Sequence, residues 1–101
     1  MARALELVTF KTDPDRDADM LACRADFVSA LRQACPGLID VRMFRGEQAG
    51  DWIDVVFWES LEQATAAAET AGDLAEAQAF FSFITEPPVM VHGTLADEHL
   101  R

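Results

Sequence analysis

The sequence lacks most of the features that would assign a chain of 101 residues to a functional class at once. No apolar run reaches the ~18 residues that a membrane span needs. No signal peptide precedes the alternating segment Ala4–Phe10, so a cytoplasmic protein without membrane contact is expected. Phosphate-binding loops, dinucleotide fingerprints, Gly-x-Ser-x-Gly elbows and Cys-x-x-Cys motifs are all missing. The motif-defined nucleotide-binding, serine-hydrolase and dithiol classes are therefore excluded.

Positive charge is also scarce, because 8 Lys and Arg residues face 18 Asp and Glu residues, which gives a formal net charge of −10. Nucleic-acid binding needs clustered Lys and Arg side chains opposite phosphates. We therefore expect neither a nucleic-acid partner nor an anionic membrane surface, and we interpret the acidity mainly as a source of solubility.

Cysteine and histidine are limited to two residues each. Cys23 and Cys35 are both predicted on the first helix, where twelve residues at about 1.5 Å each separate them by roughly 18 Å. A disulfide needs Cα atoms within about 7 Å, so both are interpreted as small core residues. His99 lies in a polar tail beside Asp97 and Glu98. The sequence therefore predicts no metal site and no cofactor.

Half of the residues are hydrophobic, which suffices for one domain over residues 1–101. Alternating segments predict four strands: Ala4–Lys11, Leu38–Arg45, Asp51–Glu59 and Val89–Leu95. Helical spacing and capping residues predict three helices: Ala18–Ala34, a helix from the Ser60 cap to Ala71, and a short helix from Leu74 to Ile84 capped by Asp73. The order β-α-β-β-α-α-β predicts an α+β, ferredoxin-like fold with a four-stranded antiparallel sheet and helices on one face.

The pairing of the second and third strands decides the environment of Asp54, a carboxylate among large apolar residues. A five-residue loop places Asp54 opposite Arg42, whereas a four-residue loop places Asp54 beside Met43 and Arg42 beside Val55. Opposite charges across a strand pair stabilise the fold by about 0.2–1 kcal/mol. An unpaired charge that is removed from water costs several kcal/mol. We therefore predict the five-residue loop. It gives one wholly apolar face beneath the helices, formed by Ile39, Val41, Met43, Ile53, Val55 and Phe57.

The opposite face is then mixed in character and has no helix to cover it. It carries Phe44, Trp52 and Trp58, and a monomer would not normally expose such a patch. Since most soluble oligomers are symmetric, we predict a homodimer with these three residues at its interface. The alternation of side chains along the last strand places His92 on this face as well. Glu6 of the first strand is a further candidate for the same face.

Four segments together resemble the dimeric α+β barrel superfamily, and within it the antibiotic-biosynthesis-monooxygenase-like group. They are Leu7–Phe10, Pro36–Arg45, Val56–Ala64 and Phe80–Phe81. The resemblance implies a homodimer with a ligand pocket between sheet and helices in each subunit. Activities of the group include cofactor-free oxygenation of aromatic polyketides, haem degradation, isomerisation and decarboxylation. The chain departs from the haem-degrading pattern because it has no Asn, and it has no Tyr that could serve as an acid, base or radical.

The candidate catalytic residues are His92, Asp54 and Arg42. His92 has the right chemistry for proton transfer near neutral pH, and Asp54 with Arg42 could orient a ligand or hold His92. For each, a structural role is the more frequent alternative: an interface histidine and a structural ion pair.

A candidate ligand pocket is formed by large apolar side chains that could surround an aromatic compound, and the alternative is plain core packing. Its residues are Phe27, Leu31, Phe57, Phe80 and Phe81. Trp52 and Trp58 could stack on a planar ligand, although dimer packing is the commoner role.

Our leading hypothesis is a dimeric domain that binds an apolar aromatic or polyketide-like compound and acts as a cofactor-independent monooxygenase. The alternative is a non-catalytic, ligand-binding or stress-related dimeric domain. A pure dimerisation module is the third hypothesis.

Overall fold

The secondary-structure elements occur in the predicted order in the computed structural model, which describes residues 2–100. The strands are β1 (Ala4–Lys11), β2 (Leu38–Arg45), β3 (Asp51–Trp58) and β4 (Val89–Thr94). The helices are α1 (Asp17–Ala34), which follows a short 3₁₀ turn at Pro14–Arg16, then α2 (Leu61–Gly72) and α3 (Ala75–Phe81). The predicted ferredoxin-like α+β fold is confirmed.

The four strands form one antiparallel sheet in the order β2-β3-β1-β4, and the helices cover one side of it. β3 and β1 are therefore central, whereas β2 and β4 are edge strands. Within residues 2–100, no helix is both long and apolar enough to cross a membrane.

Local signals in the sequence set several element boundaries. The Ser60 hydroxyl accepts a hydrogen bond from the Gln63 backbone N–H at 3.2 Å and caps α2, as predicted. Gly50, in the turn just before β3, has φ +88°, and a Cβ there would lie 2.5 Å from the Thr12 carbonyl oxygen, so both backbone angle and space require glycine. The predicted Asp73 cap is wrong: Asp73 ends α2, and Leu74 precedes α3 without a side-chain cap.

The predicted hairpin register is also wrong. β2 and β3 pair in the register of the four-residue loop, which places Met43 opposite Asp54 and Arg42 opposite Val55. The difference extends from the turn to Asp40 and ends at a bulge, because Leu38 pairs with Trp58 and Asp40 pairs with Phe57, so Ile39 is an extra residue on β2. The bulge shifts the alternation of β2, a change that a regular strand pattern does not reveal.

The shift turns β3 over relative to β2, so each face combines residues of both predicted faces. The inner face, which lies under the helices, carries Glu6, Val8, Phe10, Val41, Met43, Trp52, Asp54, Val56, Trp58, Met90 and His92. The outer face, which no helix covers, carries apolar residues with some polar ones: Leu5, Leu7, Thr9, Asp40, Arg42, Phe44, Ile53, Val55, Phe57, Val89 and Val91. The prediction that the apolar residues of β3 lie under the helices was therefore wrong.

The burial pattern of β3 shows the same arrangement. Trp52, Asp54, Val56 and Trp58 are buried, and the residues between them are only half-buried. α1 packs its stripe of Met20, Arg24, Phe27 and Leu31 against this side of the sheet. The core is thus built on the face that contains both tryptophans and the carboxylate.

Candidate functional site

A cavity of about 670 Å³ lies between the inner face and the helices. Its walls are mainly apolar, and α2 contributes only small side chains to them, namely Ala67, Ala68, Ala71 and Gly72. Since alanine fills little volume, this helix leaves space beside the sheet where a leucine-rich helix would fill it. The cavity has the dimensions and apolar character typical of small-molecule sites.

Aromatic rings form one wall of the cavity. Phe27 stacks on Phe80 with ring centroids 5.5 Å apart and an interplanar angle of 16°. Phe10 meets Phe80 edge to face at 5.7 Å, and Phe81 meets Phe27 in a similar manner at 5.5 Å. Such offset and edge contacts hold the rings in fixed orientations. The wall therefore presents a rigid aromatic surface.

A buried ion pair lies beside this wall. Arg24 of α1 donates two hydrogen bonds to the Asp54 carboxylate, both at 2.8 Å, and both residues are buried. The Arg24 guanidinium carbon also lies 5.7 Å from the centroid of Phe80. The bidentate geometry satisfies both carboxylate oxygens, which a buried charge requires. Asp54 is thus a neutralised, fixed group that joins helix to sheet.

Trp58 has an unsatisfied polar atom at the cavity. It lines the cavity and is 1 % exposed, and its indole Nε1 has no hydrogen-bond partner among residues 2–100. Buried indole N–H groups usually find an acceptor, and an unmade hydrogen bond of this kind costs about 1–3 kcal/mol. The Nε1 atom itself has almost no accessible surface, so an acceptor atom on a ligand reaches it only when a neighbouring side chain moves.

Glu6 and His92 form a second polar pair at the cavity. They are direct partners across β1 and β4, and Glu6 Oε2 lies 2.9 Å from His92 Nε2. Glu6 lines the cavity with a side chain that is 13 % exposed, whereas the His92 side chain is 28 % exposed. His92 therefore contacts the cavity through Glu6 and is itself open to solvent.

The structure brings together four of the five predicted pocket residues: Phe27, Leu31, Phe80 and Phe81. The fifth, Phe57, lies on the outer face, so its assignment to this pocket was wrong. The predicted pairing of Arg42 with Asp54 was also wrong, because Arg42 donates to Asp40 at 2.8 Å on the exposed outer face. Arg24 takes the place that Arg42 was predicted to fill.

Two of the three predicted dimer-interface residues lie inside the subunit. Trp52 is 3 % and Trp58 1 % exposed beneath the helices, so neither is available to a second chain, and this part of the prediction is wrong. Phe44 lies on the outer face with 52 % of its surface exposed. Phe44 as an interface residue stays a prediction.

Sequence reasoning missed Arg24 and gave Glu6 too little weight. Met20, Arg24, Phe27 and Leu31 follow a spacing of four, three and four residues, which is one face of a helix, so periodicity is the signal that places Arg24 inside. Glu6 could be placed only once the parity of β1 was known from its pairing with β3.

The titratable groups with a shifted pKa lie away from the cavity. Burial raises the pKa of the Cys35 thiol, which sits at the end of α1. A hydrogen bond and the charge of Asp51 raise the pKa of Lys11. In the described part of the chain, no three His, Cys, Asp or Glu side chains are grouped as a metal site requires.

No family model matches the chain, and no curated protein matches it. Several solved structures share its fold. A protein from Bordetella bronchiseptica that is proposed to be an antibiotic biosynthesis monooxygenase has a TM-score of 0.79 and 21% identity, over 95% of this chain and 99% of that one.

Two Streptomyces proteins are similarly close in fold. The monooxygenase from the gene ActVA-Orf6 of Streptomyces coelicolor, solved with the ligand Nanaomycin D, has a TM-score of 0.77 and 19% identity, over 99% and 93% of the two chains. SnoaB of Streptomyces nogalater, a cofactor-independent oxygenase, has a TM-score of 0.69 and 16% identity, over 99% and 97%. The predicted resemblance to the antibiotic-biosynthesis-monooxygenase-like dimeric α+β barrels is thus confirmed for the fold.

Proposed function

We propose that the protein binds a planar, apolar aromatic or polyketide-like compound in the cavity and oxygenates it with dioxygen, without a tightly bound cofactor. The observation that carries this proposal is the combination of a rigid aromatic wall with the unpartnered indole N–H of Trp58. An aromatic ring stacks on the wall, and an oxygen substituent on that ring accepts the Trp58 hydrogen bond after a small displacement of the side chains that cover Nε1.

The chemistry that suits this arrangement starts with a phenol or enol that loses a proton and becomes electron-rich. Dioxygen is the oxidant: a ring CH₂ group and O₂ become a ring C=O group and water, so both oxygen atoms and all hydrogens are accounted for. A donor aimed at the developing oxyanion stabilises it most where water is excluded. We assign that role to Trp58.

The proton leaves through Glu6 and His92 in this proposal. A carboxylate in the cavity accepts the substrate proton, and the imidazole bonded to its other side takes up a proton in turn and exchanges it with solvent. The 2.9 Å contact and the greater exposure of His92 support this direction of transfer. His92 thus keeps the acid–base role predicted for it, but acts through Glu6. Asp54 and Arg24 are structural in this scheme.

The fold neighbours support the same class of reaction. SnoaB is described as a cofactor-independent oxygenase, and the ActVA-Orf6 protein is a monooxygenase solved with Nanaomycin D. A cavity in the corresponding fold, lined by aromatic rings, is compatible with a related use in this chain.

The experiment uses 1,8-dihydroxyanthrone as a polyketide-like probe. We expect oxygen uptake above the uncatalysed rate, and one atom of ¹⁸O₂ in the ketone product, detected by mass spectrometry. Trp58→Phe should lower the rate about 10²-fold, the order found when an oxyanion donor is removed. Trp52→Phe is the matched control and should keep the rate, because the Trp52 N–H already donates to Thr12 Oγ1.

A second variant tests whether the reaction takes place in the cavity. Ala67→Leu extends a buried side chain of α2 into the cavity and should abolish both binding and turnover while the fold is kept. Its circular dichroism and unfolding midpoint check the fold. Oxygen uptake that is unchanged by Ala67→Leu would contradict the proposed site.

A second candidate function is ligand binding without catalysis. The observation that favours it is that the most buried carboxylate in the cavity, Asp54, is fully paired with Arg24 and so is not free to react. Tight binding of the anthrone with no oxygen uptake would support this function and exclude the first.

We also propose that two copies of the chain associate through the outer face. This face exposes Phe44, Val89 and Val91 by 52%, 61% and 57%, next to half-buried Val55 and Phe57. Contiguous apolar surface of this kind favours association.

Sedimentation velocity at micromolar concentration tests the dimer. We expect a dimer for the native chain and a monomer for Val91→Glu, with Leu61→Glu, which replaces an exposed apolar residue on α2, as the control that stays dimeric. A native chain that sediments as a monomer would refute this proposal.

A further inference from the structure

The cavity contains negative but no positive side chains. Three carboxylates line it, those of Glu6, Asp54 and Glu86, and no Lys, Arg or His side chain among residues 2–100 does. An acidic lining by itself does not define a site. Here it coincides with an aromatic wall and with the buried, unpartnered donor of Trp58, and together they indicate which ligands the cavity accepts.

The three carboxylates differ in how far they are neutralised. Asp54 is paired with Arg24 by two hydrogen bonds and contributes little net charge. Glu6 is neutralised only when His92 carries a proton. Glu86 lies in the exposed segment between α3 and β4 and has no salt-bridge partner within the described residues. The cavity therefore keeps net negative charge at neutral pH.

The cation beside the cavity, Arg24, is held by Asp54, and three other cations of the chain have partners of their own. Lys11 donates to Asp51 at 2.8 Å, and Glu86 contributes only a minor part of the electrostatic effect that raises the pKa of Lys11. Arg16 lies over the ring of Phe83. Arg45 lies over Trp52 and donates to Asp17. None of these groups is positioned to pair with an anionic ligand.

We propose that the cavity selects aromatic compounds that carry a protonated amine and rejects those that carry a carboxylate. This inference deepens the proposed function, since it rests on the cavity being the binding site. An ammonium group meets Glu86 and Glu6, while a carboxylate meets the same two charges with only the Trp58 N–H to offset its desolvation. Specificity then arises from repulsion of the wrong ligand as well as attraction of the right one.

Three naphthalene probes of similar size test the selection by isothermal titration calorimetry at pH 7.5: 2-naphthylmethylamine, 2-naphthylmethanol and 2-naphthoate. We expect the amine to bind about tenfold more tightly than the alcohol, and the carboxylate about tenfold more weakly, since about 1.4 kcal/mol corresponds to a factor of ten. The preference for the amine should decrease at high salt, because Glu86 is exposed.

Charge variants identify the residues responsible. Glu86→Gln should reduce the amine-to-alcohol preference about threefold, and Glu86→Lys should bring the carboxylate to the affinity of the alcohol or above it. Glu69→Gln, on the exposed side of α2, makes the same change in net charge outside the cavity and should leave the order unchanged.

The possible outcomes test the charge selection and the oxygenase reaction separately. Binding of the carboxylate as tightly as the amine, or equal effects of Glu86→Gln and Glu69→Gln, would overturn the charge selection while leaving the oxygenase proposal standing. The expected order of affinity without oxygen uptake from the anthrone would overturn only the oxygenase. If none of the three probes binds, the cavity is not the site and this inference is wrong.

Discussion

The two ends of β3 carry the same side chain in two different states. Trp52 and Trp58 share the inner face, and both are almost fully buried. At the Trp52 end, the indole N–H donates to Thr12 Oγ1 at 2.9 Å, and Arg45 covers the ring at 4.7 Å. At the Trp58 end, the indole lines the cavity and its N–H has no acceptor among residues 2–100.

The difference separates a structural end of the strand from a functional one. A folded chain gains stability when each buried donor is paired, so an unpaired donor beside a cavity is a local loss of stability. Functional sites commonly retain such groups, because they are needed for a ligand rather than for the fold. The Asp54–Arg24 pair lies between the two ends and fixes β3 to α1.

The largest expected effect comes from breaking this central pair. Asp54→Ala should destabilise the protein by about 3–5 kcal/mol, because it leaves the Arg24 guanidinium buried without a counter-charge. Urea unfolding followed by circular dichroism measures the change. The double variant Arg24→Met with Asp54→Leu removes both charges and should recover most of the loss. A double variant as unstable as Asp54→Ala would show that shape, and not charge, sets the effect.

Replacing either tryptophan by phenylalanine should have a smaller effect on stability, and the effect should differ between the two positions. Trp52→Phe should lower the free energy of unfolding by about 1–3 kcal/mol more than Trp58→Phe, because only the former leaves a buried polar group, the Thr12 hydroxyl, without its partner. Both variants lose the same ring volume, so the difference isolates the hydrogen bond. Denaturant titrations of the two variants side by side measure it; equal losses would contradict the contrast between the two ends.

The smallest effect is expected at the start of β3, where Lys11 and Asp51 pair on the surface. The hydrogen bond that Lys11 donates to Asp51, and then the charge of Asp51, raise the pKa of Lys11 above its ordinary value of 10.5. A raised pKa means that the folded state holds this proton more tightly. The contribution to stability is therefore complete below pH 10.5 and is lost as the pH rises through the higher folded-state value.

Lys11→Met measures this contribution against the native chain. The two proteins should have midpoints of thermal unfolding that change in parallel between pH 6 and pH 9, and the gap between them should narrow above pH 10.5. A gap that varies between pH 6 and pH 9 would mean that another group titrates together with Lys11.

The sequence predicted the elements well because their boundaries depend on local chemistry. Pro36 and Gly37 stop α1, Ser60 caps α2, and β1 and β2 have the predicted bounds. Two boundaries were wrong: Asp73 has the right residue type for a cap but terminates the preceding helix instead, and α3 ends at Phe81 rather than Ile84. Neighbouring helices compete for the same capping residue, and the sequence alone does not decide which helix that residue serves.

The candidate site was harder to predict because its groups are joined across elements. Strand register offers Asp54 only partners on the neighbouring strand, whereas its partner is Arg24, thirty residues earlier and on a helix. The bulge at Ile39 added a second error, because it breaks the alternation on which register arguments rest. The pocket residues were predictable in kind, since three of them, Phe27, Leu31 and Phe80, belong to the core, but the cavity itself required coordinates.

The alanines of α2 have a consequence for how such a protein evolves. Because Ala67, Ala68 and Ala71 present methyl groups to the cavity, a single substitution at any of them changes its volume or shape without moving the helix backbone. The ion pair and the aromatic wall that hold the fold lie on other elements, so ligand preference and structural integrity are encoded by separate residues. A lineage that carries this helix is able to change its ligand by small mutational steps while the sheet beneath stays the same.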